Sequence, residues 1–150
     1  GDINTVVNFL KTRDDVNTGA ITGMSFNNMC PALLHAAAFD RSIRSVALIG
    51  SLLSYKSIVL NRFYERSFAD YAVPGMLTAY DLPDLIGCVA PGKVAVAESK
   101  DHMNKPASQS LINEELLFPQ SVFRSGNVPG NLKIIPAPWD IVKIAEWCME

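Results

Sequence analysis

The segment Ile21-Thr22-Gly23-Met24-Ser25-Phe26-Asn27-Asn28 has a spacing suited to nucleophilic catalysis. It follows the form G-x-S-x-G, with Asn27 in place of the last glycine. Such a segment makes a sharp strand-to-helix turn that lifts a serine hydroxyl above the sheet edge, and the next amide, here that of Phe26, helps bind an oxyanion. Asparagine accepts positive φ better than most residues, so the turn stays open to this chain without the glycine. On this reading Ser25 is a nucleophile and Phe26 an oxyanion donor. On the other, Ser25 caps a helix that begins near Phe26 or Asn27, a role its hydroxyl suits equally well.

A serine nucleophile needs a base, and the chain has two histidines, His35 and His102. His35 lies ten residues beyond Ser25, about 15 Å along a helix, too far for a hydrogen bond, and reads as a packed helix residue. His102 is the remaining candidate base; otherwise it is a loop residue that titrates near neutral pH. Glu98, at a strand end, is either a second carboxylate or the partner of Lys93 or Lys100. Tyr55, Tyr64, Tyr71, Phe63 and Phe68 either line an acyl or sugar pocket or pack an insert onto the sheet. Arg62 and Arg66, one helical turn apart, suit either a carboxylate or a solvated face. Cys30, Cys88 and Cys148 lie about 60 residues apart, too dispersed for a zinc site and odd in number for a disulfide framework, and read as buried thiols. With no Walker loop and no G-x-G-x-x-G, neither a metal nor a cofactor is expected.

Periodicity assigns the elements that must position these residues. Asp2 to Arg13, with Ile3, Val6, Val7 and Leu10 on one side, is an amphipathic helix with Asp2 at its cap. Ala20 to Thr22 is a short strand ending at Gly23, and Pro31 to Phe39 is a helix apolar almost all round. Ile43 to Gly50 is an interior strand. Lys93 to Ala97 and Leu132 to Ile135 are further strands, Ala107 to Leu117 and Asp140 to Cys148 further helices. Between the second and third strands lies an insert, 51–91, with helical character at Tyr55 to Arg66 and breakers at Pro74-Gly75, Pro83 and Pro91-Gly92. It suits a lid or pocket wall. The alternation predicts an α/β fold, a mostly parallel sheet of about four strands with helices on both faces.

The composition of the 150 residues agrees with one domain over 1–150: 49% hydrophobic, 19% charged, 13 Lys+Arg against 15 Asp+Glu, net charge -2. With no basic cluster, no nucleic-acid surface is expected. The apolar runs Val46 to Ile49 and Ala36 to Phe39 are far shorter than the roughly 20 residues of a membrane span.

The run Leu34-His35-Ala36-Ala37-Ala38-Phe39-Asp40-Arg41-Ser42-Ile43-Arg44-Ser45-Val46, followed by Gly50-Ser51-Leu52-Leu53-Ser54-Tyr55-Lys56-Ser57-Ile58-Val59 and by Tyr80-Asp81-Leu82-Pro83-Asp84-Leu85, resembles the C-terminal half of α/β-hydrolases of the acetyl xylan esterase and dienelactone hydrolase type. The resemblance implies a nucleophile strand followed by the last three strands of an eight-stranded fold, the first four having no counterpart in this sequence. It implies serine carboxylester hydrolysis, with a small ester or acetylated carbohydrate as substrate. Asp101, at the end of Val94-Ala95-Val96-Ala97-Glu98-Ser99-Lys100-Asp101, takes the place of the triad acid; its other reading is an ordinary capping or loop Asp ahead of Pro106. The family's base follows the last strand, where this chain has Pro136-Ala137-Pro138-Trp139 and no His. The alternative function is a degenerate or truncated hydrolase acting as a binding or structural module. The nucleophile strand would be an edge strand, so either a homo-oligomer or an N-terminal half is expected to cover it.

Overall fold

The structure, a computed structural model, describes residues 2–150, the side chains of 69–71 excepted. Four strands, β1 (Ile21–Phe26), β2 (Ile43–Ile49), β3 (Lys93–Ala97) and β4 (Leu132–Ile135), form a parallel sheet in that order. The helices are α1 (Asp2–Leu10), α2 (Cys30–Phe39), α3 (Lys56–Val59), α4 (Leu82–Val89), α5 (Gln109–Glu115), α6 (Leu117–Ser125) and α7 (Ile141–Met149). Parallel neighbours require crossovers, which α2, α4 and the α5–α6 pair supply. Crossovers of one hand that step steadily across a sheet fall on one face. Accordingly α2 packs on α4 and α4 on α6, while α7 lies against β2, β3 and β1.

The period-two alternation of strands sets what each face holds. In β2 and β3, Val46, Leu48, Val94 and Val96 point to the crossover side and join its core with Leu34, Leu82 and Phe123. Ala47, Ile49, Ala95 and Ala97 point the other way, a floor of small side chains on which Ile144 and Cys148 of α7 sit. Both central strands are buried on both faces, which is why they read as continuous apolar runs. β1 pairs only with β2 and is an edge of the sheet. Val6 and Phe9 of α1, Met29 just before α2 and Phe39 at its end are exposed.

Several expectations are corrected. β1 does not stop at Gly23 but continues to Phe26. The helix expected over Tyr55 to Arg66 is only Lys56–Val59. Past it Leu60 and Phe63 find no core, and the Asn61 side chain donates to Ser57 O at 2.7 Å, a local bond that competes with helix continuation. Pro83 does not break a helix but sits in the first turn of α4, where a missing N–H costs nothing. The helix expected over Ala107 to Leu117 begins at Gln109, capped by Ser108, and α6 follows with Pro119 in its first turn. Cys30 and Cys148 are buried, as expected, but Cys88 is exposed on α4.

One carboxylate ties two parts of the insert together. Asp81 caps α4, and its oxygens also accept from the amides of Tyr55 at 2.8 Å and Lys56 at 2.9 Å, while Asp84 accepts from Asp81 N at 2.8 Å. Asp81→Ala therefore leaves three amides without their acceptor at once. We expect a loss of about 1–3 kcal/mol in urea unfolding; a loss under about 0.5 kcal/mol, the size of an ordinary surface change, would contradict this role.

Candidate functional site

In an open parallel sheet ligands collect at the carboxyl ends of the strands, where loops diverge. Here three successive strands leave the sheet through left-handed residues: Asn27 after β1 (φ 49°), Gly50 after β2 (φ 68°) and Glu98 after β3 (φ 49°). Asn27 and Gly50 fit together. A Cβ on Gly50 would lie 2.5 Å from Asn27 Oδ1, so glycine, which also accepts the positive φ, leaves the Asn27 side chain its place. Pairing then continues past the sheet, with Lys100 N donating to Ser51 O at 2.7 Å and Leu53 N to Lys100 O at 3.0 Å.

Ser25 is not at this edge. It is the fifth residue of β1, paired with Leu48, and it shares the strand face of Gly23, whose Cα lies so close to α2 that a Cβ would meet Leu33 Cδ1 at 2.6 Å. The Ser25 side chain thus points under α2, and the residue is 9% exposed. It caps nothing: the turn after β1 is a 3-10 turn, Asn27–Met29, with Phe26 at its cap and no side-chain bond. The residue at the sharp turn between strand and helix is Asn27, two positions later. Phe26 is extended (φ -125°, ψ 141°), so its amide belongs to the strand rather than to a turn. The Cys30 thiol donates to Ser25 O at 3.3 Å and Ile49 O at 3.5 Å, fastening the start of α2 to the ends of β1 and β2; burial raises its pKa.

Asp101 serves its own loop. Its Oδ1 accepts from Met103 N at 2.8 Å and Lys105 N at 3.0 Å, closing the turn at 101–105, which is the loop role foreseen for it. His102 accepts a backbone bond from Glu65 N at 2.8 Å that fastens the insert, and among the described residues neither of its ring nitrogens has a hydrogen-bond partner. Ser25, Asp101 and His102 are not joined by any hydrogen bond. His35 is a packed helix residue, its Nδ1 2.7 Å from Pro31 O and its ring edge-to-face with Tyr80. Of the aromatic group, Tyr55 and Tyr64 line a cavity of about 270 Å³ with Ile58, Val73 and Met76. Phe68 is buried in the core, Phe63 is exposed, and the Tyr71 side chain lies outside the described residues. No group of three or more His, Cys, Asp or Glu among the described residues is placed to hold a metal.

The polar centre of the edge is Glu98. Its carboxylate accepts from Lys100 Nζ at 2.6 Å and from the indole N–H of Trp139 at 2.8 Å, and these two donors, the lysine first, hold its pKa below the ordinary 4.5. The lysine pairing was legible in the sequence; the Trp139 bond, spanning 41 residues, was not. The four residues Asn27, Glu98, Lys100 and Trp139 can bind a polar ligand, but they include no activated nucleophile.

No family model matches this sequence. Nor does any curated protein match it. Among solved structures, a Bacteroides fragilis NCTC 9343 protein provisionally named an acetyl xylan esterase is similar over 89% of this chain at a TM-score of 0.70 and 16% identity. The chain spans about a third of that protein, 34% of its length. The likeness extends to the fold: a four-stranded parallel α/β sheet with its surrounding helices.

Since the Glu98 pKa is lowered on folding, the pair stabilises the protein above about pH 4.5, and that contribution is lost as pH falls through the depressed value. Lys100→Met removes the larger cause. An NMR titration of the Glu98 carboxyl carbon should show its midpoint moving up toward 4.5. An unchanged midpoint would mean that Lys100 does not hold the carboxylate.

Proposed function

We propose that this chain is a hydrolase-fold unit with a binding or structural role, one that does not hydrolyse esters through Ser25. One observation carries the reading: the strand-to-helix turn belongs to Asn27, while the Ser25 hydroxyl faces the underside of α2. A carboxamide is no nucleophile toward an ester carbonyl, and a hydroxyl beneath a helix has no line of approach to one. The two candidate carboxylates are engaged elsewhere, Asp101 in its own turn and Glu98 with Lys100 and Trp139.

The serine carboxylester hydrolase reading, with Ser25, Asp101 and His102 acting on a small ester or acetylated carbohydrate, draws its support from the fold likeness. Fold alone does not fix chemistry. The two readings part in one experiment. A fluorophosphonate probe should leave both the protein and Ser25→Ala unlabelled, because loss of a triad's integrity costs about 10⁶-fold in rate. Labelling of the protein that disappears in Ser25→Ala would overturn the non-hydrolytic reading.

A further inference from the structure

We infer that the groove between β4 and α7 is a binding site for a small aromatic carboxylate. This site lies apart from Ser25 and does not depend on whether the chain hydrolyses anything. The groove has a volume of about 530 Å³ and is lined by Lys133, Ile135, Pro138, Trp139, Lys143 and Trp147 among others. That size and an apolar wall with a few charged groups suit a small ligand. Both tryptophans of the chain are in it. Aromatic walls favour a flat ring, which they meet face to face or edge to face.

The charges around the groove decide the rest. Lys133 Nζ stands 4.5 Å from the centroid of the Trp147 ring, and Lys93 Nζ stands 5.2 Å from it while donating to Trp147 O at 2.8 Å. Neither Lys133 nor Lys143 has a carboxylate partner among the described residues. The one carboxylate in the lining, Asp140, spends Oδ1 on the amides of Val142 at 2.9 Å and Lys143 at 3.4 Å as the cap of α7. Glu98, reached through Trp139, is neutralised by Lys100. Two ammonium groups that lack a carboxylate partner among the described residues, one of them over the Trp147 ring, therefore select an anion attached to a ring. Neither the ring alone nor the anion alone meets both.

The test uses the two indole N–H signals of the full chain in ¹H–¹⁵N spectra, with sodium 2-naphthoate as probe and 2-naphthamide as its uncharged control. Naphthoate should shift both signals saturably, with binding at least tenfold weaker for naphthamide and for the Lys133→Gln/Lys143→Gln variant. Dispersed indole signals in the variant verify that it is folded, and Lys143→Gln alone should weaken binding in the same direction. No saturable shift up to about 10 mM naphthoate, well past the weak end of specific affinities, would overturn the inference. So would equal binding of the amide, or unchanged binding by the folded lysine variant.

Discussion

The alternation of side chains along β1 is the constraint on which the carboxyl edge depends. A strand can present only every second residue to a given face, and α2 presses so closely on Gly23 that this residue's face is committed to the crossover core. Ser25 shares that parity and goes inside with it. Met24, of the opposite parity, packs with the α7 cluster, and Phe26 ends the strand partly exposed. The chain is then free to turn only at Asn27, whose type tolerates the left-handed backbone the turn imposes. Had the strand ended at Gly23, the same serine would stand at the sheet edge. Three further extended residues, Met24, Ser25 and Phe26, separate the expected turn from the one the chain makes.

The same parity rule explains why the two faces of the sheet are covered so differently. The crossover side carries valines and leucines and needs three packed helices to bury them. The opposite side presents mainly alanine, so one helix, α7, lies close to the floor and brings Trp147 beside β4. That close seating leaves the flank of α7 and the outer edge of β4 as the walls of a groove, while the loop entering α7 carries Trp139 back to Glu98. The polar lock at the carboxyl edge and the aromatic groove thus share one residue. A single tryptophan connects them.

Much of this architecture was legible in the residues. β3, β4 and the body of β2 follow from short apolar β-branched runs, and α7 from its periodic face behind the capping Asp140. The pairing of Glu98 with Lys100 followed from two residues of opposite charge at one strand end. What local pattern could not reveal was where β1 ends, because Gly-x-Ser also reads as strand when a helix lies over the glycine. Proline misled in a similar way: Pro83 looks like a breaker yet sits in the first turn of α4, where the Asp81 cap favours the helix. The bond from Trp139 to Glu98 depends on the assembled sheet. No spacing in the sequence announces it.

Chemical accessibility at two positions tests the central claim most directly. In a Cys88→Ser background, which removes the exposed native thiol, Ser25→Cys and Asn27→Cys place one new thiol on either side of Phe26. Maleimide labelling under native conditions, located by peptide mapping, should modify position 27 rapidly. Position 25 should react no faster than the buried Cys30, which requires unfolding to be reached. Rapid labelling at position 25, equal to that at position 27, would put the serine at the sheet edge and contradict the account.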